Sequence, residues 1–300
     1  MQYRELGRTG ERLSIVGFGG IVVVGMEQSE ANRVVASAVD RGVNYFDVAP
    51  LYGAGEAEEK LGPALEPYRK NVFLACKTRV RDAAGAQEEL ERSLKKMRTD
   101  HFDLYQLHGM SEMEDVEKVF APGGAIETLR RAHQEGKAKF LGFSAHSPQV
   151  AIELLKRFPF DSVLFPFNFA AYLGAGFGPQ VIEAAQKAGA GLLALKGLAQ
   201  TSFPEGTTVE QRQWRKAWYQ PITDPESASL AFRFTLSLPI TAAIPPGHVE
   251  LWERAMSIAE DPRPLSADEM QRLQELADRT IPLFPIVPGR AGPRPPKRAA

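Results

Sequence analysis

Short apolar runs alternate with amphipathic stretches eight times along the 300 residues, and no other feature limits the possible folds as strongly. The apolar runs fall at 16–19, 45–47, 72–77, 102–107, 140–144, 162–165, 191–195 and 242–245. Between them, helical periodicity recurs at 29–41, 56–65, 84–97, 125–135, 148–157, 179–188, 225–236 and 251–260. In the first of these Val34, Val35, Ala38 and Val39 share one face, and Ser29 is expected as its N-cap. The second opens on Glu56, Glu58 and Glu59, acids that suit the positive end of a helix dipole. Strands that read as continuous apolar runs are those covered on both faces, as in a parallel sheet wrapped by helices.

Eight β/α units in about 250 residues match a closed α/β fold of the (β/α)8 TIM-barrel type. An open doubly wound sheet shares the alternation but carries a glycine fingerprint that turns directly into a helix. Gly17-Phe18-Gly19-Gly20 begins one, yet position 22 is Val22 and the next helical stretch waits until residue 29. The barrel is therefore the expected fold. Before it, runs at 3–6 and 13–16 flank Gly7-Arg8-Thr9-Gly10 and predict an N-terminal β-hairpin. After it, Ser266 caps an expected extra C-terminal helix over 266–279. Residues 1–281 are expected to form a single barrel domain. Residues 282–300 read as a proline-rich basic tail with a solvated end, which Pro282, Pro285, Pro288, Pro293, Pro295 and Pro296 keep out of helices and central strands. Two long connections, 108–124 and 197–221, are expected to act as lids over the mouth; Trp214 and Trp218 in the second share a helical face or line a pocket.

Charge is balanced, 36 basic against 37 acidic residues, so neither a nucleic acid nor a membrane surface is an expected partner. Cys76 is the only cysteine, which rules out an internal disulfide and suits a reducing compartment. The first ten residues lack the apolar segment of a signal peptide, and a cytoplasmic location is expected. The five histidines show no ligand spacing, so no metal site is expected.

In a (β/α)8 barrel, functional side chains gather at the C-terminal ends of the strands. Asp47, Lys77 and His108 end the second, third and fourth, with Tyr52 five residues beyond the first of them. A tyrosine near pKa 10 is a poor acid at neutral pH, but a neighbouring ammonium stabilises its phenolate and lowers that value. A carboxylate holds the lysine in place, and a neutral histidine can donate to the oxygen that the tyrosine protonates. Together such a set polarises a carbonyl and delivers a proton. Phe18, Ile21, Met110 and Met113 are expected to make the pocket mouth largely apolar, and Cys76 to pack against a helix.

The stretches 44–53 (Asn-Tyr-Phe-Asp-Val-Ala-Pro-Leu-Tyr-Gly), 72–78, 103–108 and 136–144 resemble the signatures of the aldo-keto reductases, and the resemblance extends over residues 3–279. It implies a (β/α)8 barrel that binds NADP extended, or else NAD, and acts on a small carbonyl or alcohol substrate. It also implies that Tyr52 is the general acid, tuned by Lys77 and Asp47, with His108 orienting the carbonyl. By the same resemblance Gly20, Ile21, Asp47, Ser144, Asn168, Leu195, Lys196, Gly197, Leu198, Gly247 and His248 are candidate cofactor contacts. The chain departs from the pattern at three places. Ala145 and His146 follow Ser144 where the family commonly has asparagine, and Leu195 stands where a tyrosine often stacks on the nicotinamide. In 244–250 His248 is the only basic residue, with Arg254 as a substitute phosphate ligand. Two other readings stay open: a cofactor-sensing barrel with little turnover, and a lyase using Lys77 as a Schiff base.

Overall fold

The computed structural model describes residues 1–284. An antiparallel hairpin of β1 (Tyr3–Glu5) and β2 (Arg12–Ser14) comes first. The barrel strands and the helices after them then follow in order. They are β3 (Phe18–Gly19), α1 (Gln28–Asp40), β4 (Tyr45–Asp47), α2 (Glu56–Leu65), β5 (Phe73–Thr78) and α3 (Ala83–Met97). Next come β6 (Phe102–Met110), α4 (Met113–Phe120), α5 (Ala125–Gln134), β7 (Ala138–Ala145) and α6 (Pro148–Arg157). β8 (Ser162–Pro166), α7 (Pro179–Ala188), β9 (Gly191–Leu195), β10 (Ala199–Ser202) and β11 (Tyr219–Pro221) lead to α8 (Pro225–Ser237). The last elements are β12 (Ala242–Ile244), α9 (Val249–Glu260) and α10 (Ala267–Arg279).

Eight strands form one parallel sheet in the order β3-β4-β5-β6-β7-β8-β9-β12. Val16 bridges Ala243 in parallel, with the Gly17 N–H donating to the Ala243 carbonyl at 3.0 Å, so the first and last strands meet and the sheet closes into the expected TIM barrel. Because side chains alternate along a strand, residues two apart share a face. Tyr45, Phe73, Ala75, Leu104, Leu164, Leu193 and Ala242 fill the barrel, and Leu6 and Leu13 of the hairpin join them from below. Small residues make the room. A Cβ at Gly17 would lie 2.6 Å from the Tyr45 ring, and one at Gly191 would lie 2.4 Å from Leu6. Arg8 fastens the hairpin by donating to the carbonyls of Ala188 (2.8 Å) and Pro159 (2.7 Å).

The outward faces build the larger core between sheet and helices. Phe18 belongs there, 5.4 Å from the Phe46 ring and 5.5 Å from Trp252, and Met110 is fully buried in the same core. Neither lines the mouth as expected: Gly17 and Gly19 take the inward positions on either side of Phe18, and a register shift in β6 between Leu107 and Met110, with Gly109 at positive φ, turns Met110 outward. Cys76 does pack outward, against Glu58 of α2.

Four local expectations need correction. Helix α1 begins at Gln28 after the extended Glu27, whose carbonyl accepts from the N–H groups of Glu30 and Ala31; Ser29 lies inside the helix. Segment 108–124 is not an open lid: β6 runs on to Met110, and α4 buries Val116 and Val119 beneath an acidic outer face that hid its periodicity. Segment 197–221 carries the β10–β11 ribbon, and Trp214 and Trp218 share no helix. Beyond α10, Leu283 and Phe284 are buried; the remaining prolines and the basic residues of the tail lie outside the described residues.

Ser266 and Glu269 form a capping box at the start of α10. The Glu269 carboxylate also pairs with Arg233 of α8 through two hydrogen bonds (2.9 and 2.8 Å) and with Arg263, which hold its pKa well below the usual range. A carboxyl depressed on folding stabilises the fold above the unfolded pKa of about 4.3, and that contribution is lost as pH falls toward the folded value. Glu269→Gln is therefore expected to lower Tm by several degrees at neutral pH. Melting curves of the two proteins recorded down the acid range should converge; a constant gap would assign the loss to something other than charge.

Candidate active site

At the C-terminal end of the barrel, the inward positions one layer above the apolar filling are polar. Asp47 closes β4 and Lys77 lies next to the end of β5; both are buried, the lysine completely. Their side chains form an ion pair. Lys77 Nζ also donates to the Val48 carbonyl (3.3 Å) and to the Tyr52 hydroxyl (3.4 Å), which leaves no hydrogen of the ammonium unassigned. Asp47 is held from two further sides, by the Tyr45 hydroxyl and the Gln106 amide, each at 3.3 Å through Oδ2. Gln106 escaped notice in the sequence, although its spacing two before His108 on an apolar strand marks it as inward-facing.

Tyr52 sits where the chain leaves β4 through a short helical turn, followed by Gly53, Ala54 and Gly55, all at positive φ. Its ring stands edge-on to His108 at 5.9 Å and under the Lys77 ammonium at 5.2 Å. The expected fall in its pKa does not occur: burial raises it and outweighs the lowering effect of Lys77, whose charge Asp47 largely cancels. For Lys77 itself burial works against the charge, but Asp47 and Tyr52 overcome it and its pKa lies above the ordinary value. His108 is pushed well below the usual imidazole range by burial and then by Lys77 and His146, so it is neutral at neutral pH. Its Nδ1 is buried without a partner among the described residues. Arg81 supports this strand end from outside, donating to the His108 carbonyl at 2.9 Å and pairing with Asp115. A cleft of about 290 Å³ opens beside His108, between Leu51, Ala54, Glu58, Arg79 and Arg92.

The other singled-out residues ring the same end of the barrel. Ser144 at the end of β7 is buried and accepts from the Gly109 N–H at 2.8 Å, so its hydroxyl hydrogen remains to donate. Asn168 just after β8 is fully buried; its Oδ1 accepts from the Ala171 N–H, whereas its Nδ2 has no partner among the described residues. Leu195 ends β9 on the inward face. Leu198 is buried in the outer core, and a Cβ at Gly197 would come within 3.1 Å of Thr235 on α8, so helix packing alone already calls for glycine there. Ile21 and Gly247 pack together where β3 meets β12, a Cβ at Gly247 lying 2.2 Å from the Ile21 side chain, whereas Gly20 packs on the other side, where a Cβ would lie 2.9 Å from Val48.

Segment 203–218 crosses this edge. Lys216 Nζ donates to the Val22 carbonyl (2.7 Å), and its backbone N–H donates to His248 Nε2 (3.1 Å). Trp214 stands edge-on to His248 at 5.1 Å. Arg254 donates to the Thr223 carbonyl at 2.7 Å. Lys216, His248 and Arg254 thus already have protein partners. Among the described residues no group of three acidic, histidine or cysteine side chains could hold a metal, and no helix is long and apolar enough to cross a membrane.

Comparison with known proteins bears on this geometry. A sequence model of the Aldo/keto reductase family matches residues 16–278. The chain is 27% identical over 307 residues to the uncharacterized oxidoreductase YqkF of Bacillus subtilis, covering 94% of this chain and 98% of that protein. With the L-glyceraldehyde 3-phosphate reductase of Escherichia coli (strain K12) it shares 27% over 221 residues, 67% of this chain and 62% of that one. Its fold is similar to the holo form of the aldo-keto reductase AKR11C1 from Bacillus halodurans, with a TM-score of 0.71 and 25% identity, covering 92% of this chain and 96% of the other.

Proposed function

The chain belongs to the aldo/keto reductase family, a family of oxidoreductases, and from this premise we propose that it interconverts an aldehyde or ketone and its alcohol with a nicotinamide dinucleotide, Tyr52 being the general acid. The observation that carries the proposal is the Asp47–Lys77–Tyr52 chain, a buried carboxylate, a buried ammonium and a hydroxyl in hydrogen-bond order at the barrel mouth. The Tyr52 hydroxyl donates its proton to the carbonyl oxygen as that oxygen becomes an alkoxide. Lys77 stabilises the phenolate left behind, and Asp47 keeps Lys77 charged and fixed. Neutral His108 has one N–H to give, and donates it to the same oxygen from the side.

When bound, the nicotinamide supplies the hydride. The residues present fit that group. Asn168 Nδ2, buried without a partner, and the free hydroxyl hydrogen of Ser144 match a carboxamide, and Leu195 offers an apolar face. Gly20, Ile21, Gly197, Leu198, Gly247 and His248 are proposed along the remainder of the dinucleotide. The group that separates NADP from NAD is the 2′-phosphate, for which His248 and Arg254 are the basic residues at hand. A Schiff base on Lys77 is disfavoured, because a nucleophilic amine must be neutral and this one is held as an ammonium by three partners.

Tryptophan-fluorescence titration with NADPH and separately NADH tests the reading. Saturable quenching is expected with at least one, tighter with NADPH if His248 or Arg254 receives the phosphate, together with aldehyde-dependent loss of cofactor absorbance. Binding without turnover on any carbonyl would move the protein to the cofactor-sensing reading.

A further inference from the structure

Lys196, which the resemblance implies as a cofactor contact, is a buried cation left out of the chemistry proposed above. It follows β9 directly and is only 7% exposed, with a backbone φ of 66° that side chains other than glycine seldom adopt. Its Nζ lies 3.1 Å from His146 Nε2 and over the faces of two aromatic rings, Trp218 at 5.4 Å and Phe284 at 5.3 Å from their centroids. No carboxylate pairs with it among the described residues. His146 stacks on Phe284 at 5.5 Å with the rings 9° from parallel.

These groups continue around the mouth to the proposed acid. Lys196 follows β9 and His146 follows β7 at the C-terminal end of the parallel barrel, the end at which Tyr52 and His108 also stand, and Trp218 adjoins Tyr219. Lys196 therefore belongs to the same ring of side chains as Tyr52 and His108. Arg79 and Arg92 beside His108 are exposed; of the cations held away from solvent around this mouth, Lys77 is neutralised by Asp47 and Arg81 is paired with Asp115. Among the described residues Lys196 has only an imidazole and two ring faces. Burial alone pushes its pKa down to about 7, and an anion beside it would favour the charged form.

We propose that Lys196, with His146 behind it and Trp218 and Phe284 beside it, is an anion subsite that receives the carboxylate of a carbonyl substrate whose C=O lies at Tyr52 and His108. The inference rests on the reductase reading and adds the substrate class, an aldehyde or ketone acid. A single ammonium between flat apolar walls suits a planar monoanion; a phosphate dianion calls for more donors than the cluster has.

Two readouts separate this inference from the reading beneath it. In turnover, 4-carboxybenzaldehyde and 4-formylphenyl phosphate are each compared with uncharged methyl 4-formylbenzoate. Wild type should prefer the carboxylate by at least about tenfold in kcat/KM, an order typical of one charged hydrogen bond. Lys196→Met should erase that preference and Lys196→Arg retain most of it. In binding, the unreactive 4-methylbenzoate should quench tryptophan fluorescence in wild type and far less in Lys196→Met. A preference for the phosphate would replace the carboxylate as the ligand. An unchanged ratio in Lys196→Met, or a loss confined to NADPH affinity, would overturn the subsite and return Lys196 to the cofactor. Lys196-dependent 4-methylbenzoate binding without turnover would leave the subsite standing and remove the reductase reading. Absence of both would remove both.

Discussion

Tyr52→Phe is expected to lower kcat by about 10²- to 10⁴-fold, the range for loss of a positioned general acid, while cofactor affinity stays within a few-fold of wild type. The substitution removes one hydroxyl from a ring that keeps its edge-on contact with His108, so the site loses the proposed proton donor and little else. The direction of the tyrosine's pKa sharpens the test. Burial raises it, and the hydroxyl is protonated throughout the neutral range. Reduction should therefore decline only on the alkaline side. His108, held well below the ordinary imidazole value, should bring no loss in mildly acidic buffer. Steady-state rates across that range, beside a cofactor titration of the variant, check both statements. Turnover by Tyr52→Phe at the wild-type rate would end the proposed mechanism.

Asp47→Ala is expected to destabilise the protein by about 3–5 kcal/mol, because it strands a fully buried ammonium. The Tyr45 hydroxyl and the Gln106 amide lose their acceptor in the same step. Asp47→Ala with Lys77→Met removes the charge altogether and should regain much of that stability, yet remain inactive, since neither the stabiliser of the phenolate nor its anchor is left. Urea denaturation of the three proteins decides the matter. Equal midpoints for the single and double variants would show that an uncompensated charge is not the cause.

The parts of this fold that were legible in the sequence are those governed by periodicity. Eight apolar runs gave the barrel. The two-residue alternation then turned Asp47, Lys77 and His108 inward from neighbouring strands, above an apolar filling. The same rule, applied to Phe18, points it outward beside Phe46; for Met110 the rule points inward, and only the register shift of β6 between Leu107 and Met110, with Gly109 at positive φ, turns it to the outer core. Helix α4 was missed because two buried valines in an acidic stretch make a faint pattern. The Lys196 cluster was illegible for a different reason. His146, Lys196, Trp218 and Phe284 come from four separate segments, and Phe284 sits in what composition presents as a proline-rich tail. The pKa of Tyr52 was misjudged because a list of neighbours shows the charge beside it but not the depth at which it is buried.

The seam between Val16 and Ala243 has a bearing on how the chain reaches this structure. The Thr241 hydroxyl donates to the carbonyl of Glu5, 236 residues earlier. Until β12 has left the ribosome, β3 has no partner on one side and the barrel that the hairpin seals stays open. Contacts this distant in sequence form late and slowly, since the entropy of closing so long a loop must be met before they return anything. In the meantime a growing parallel sheet presents an open edge, the kind of surface on which nascent chains stick to one another. A substitution that weakens the seam, far from the mouth and harmless to the finished enzyme, should show itself first as poor yield of folded protein.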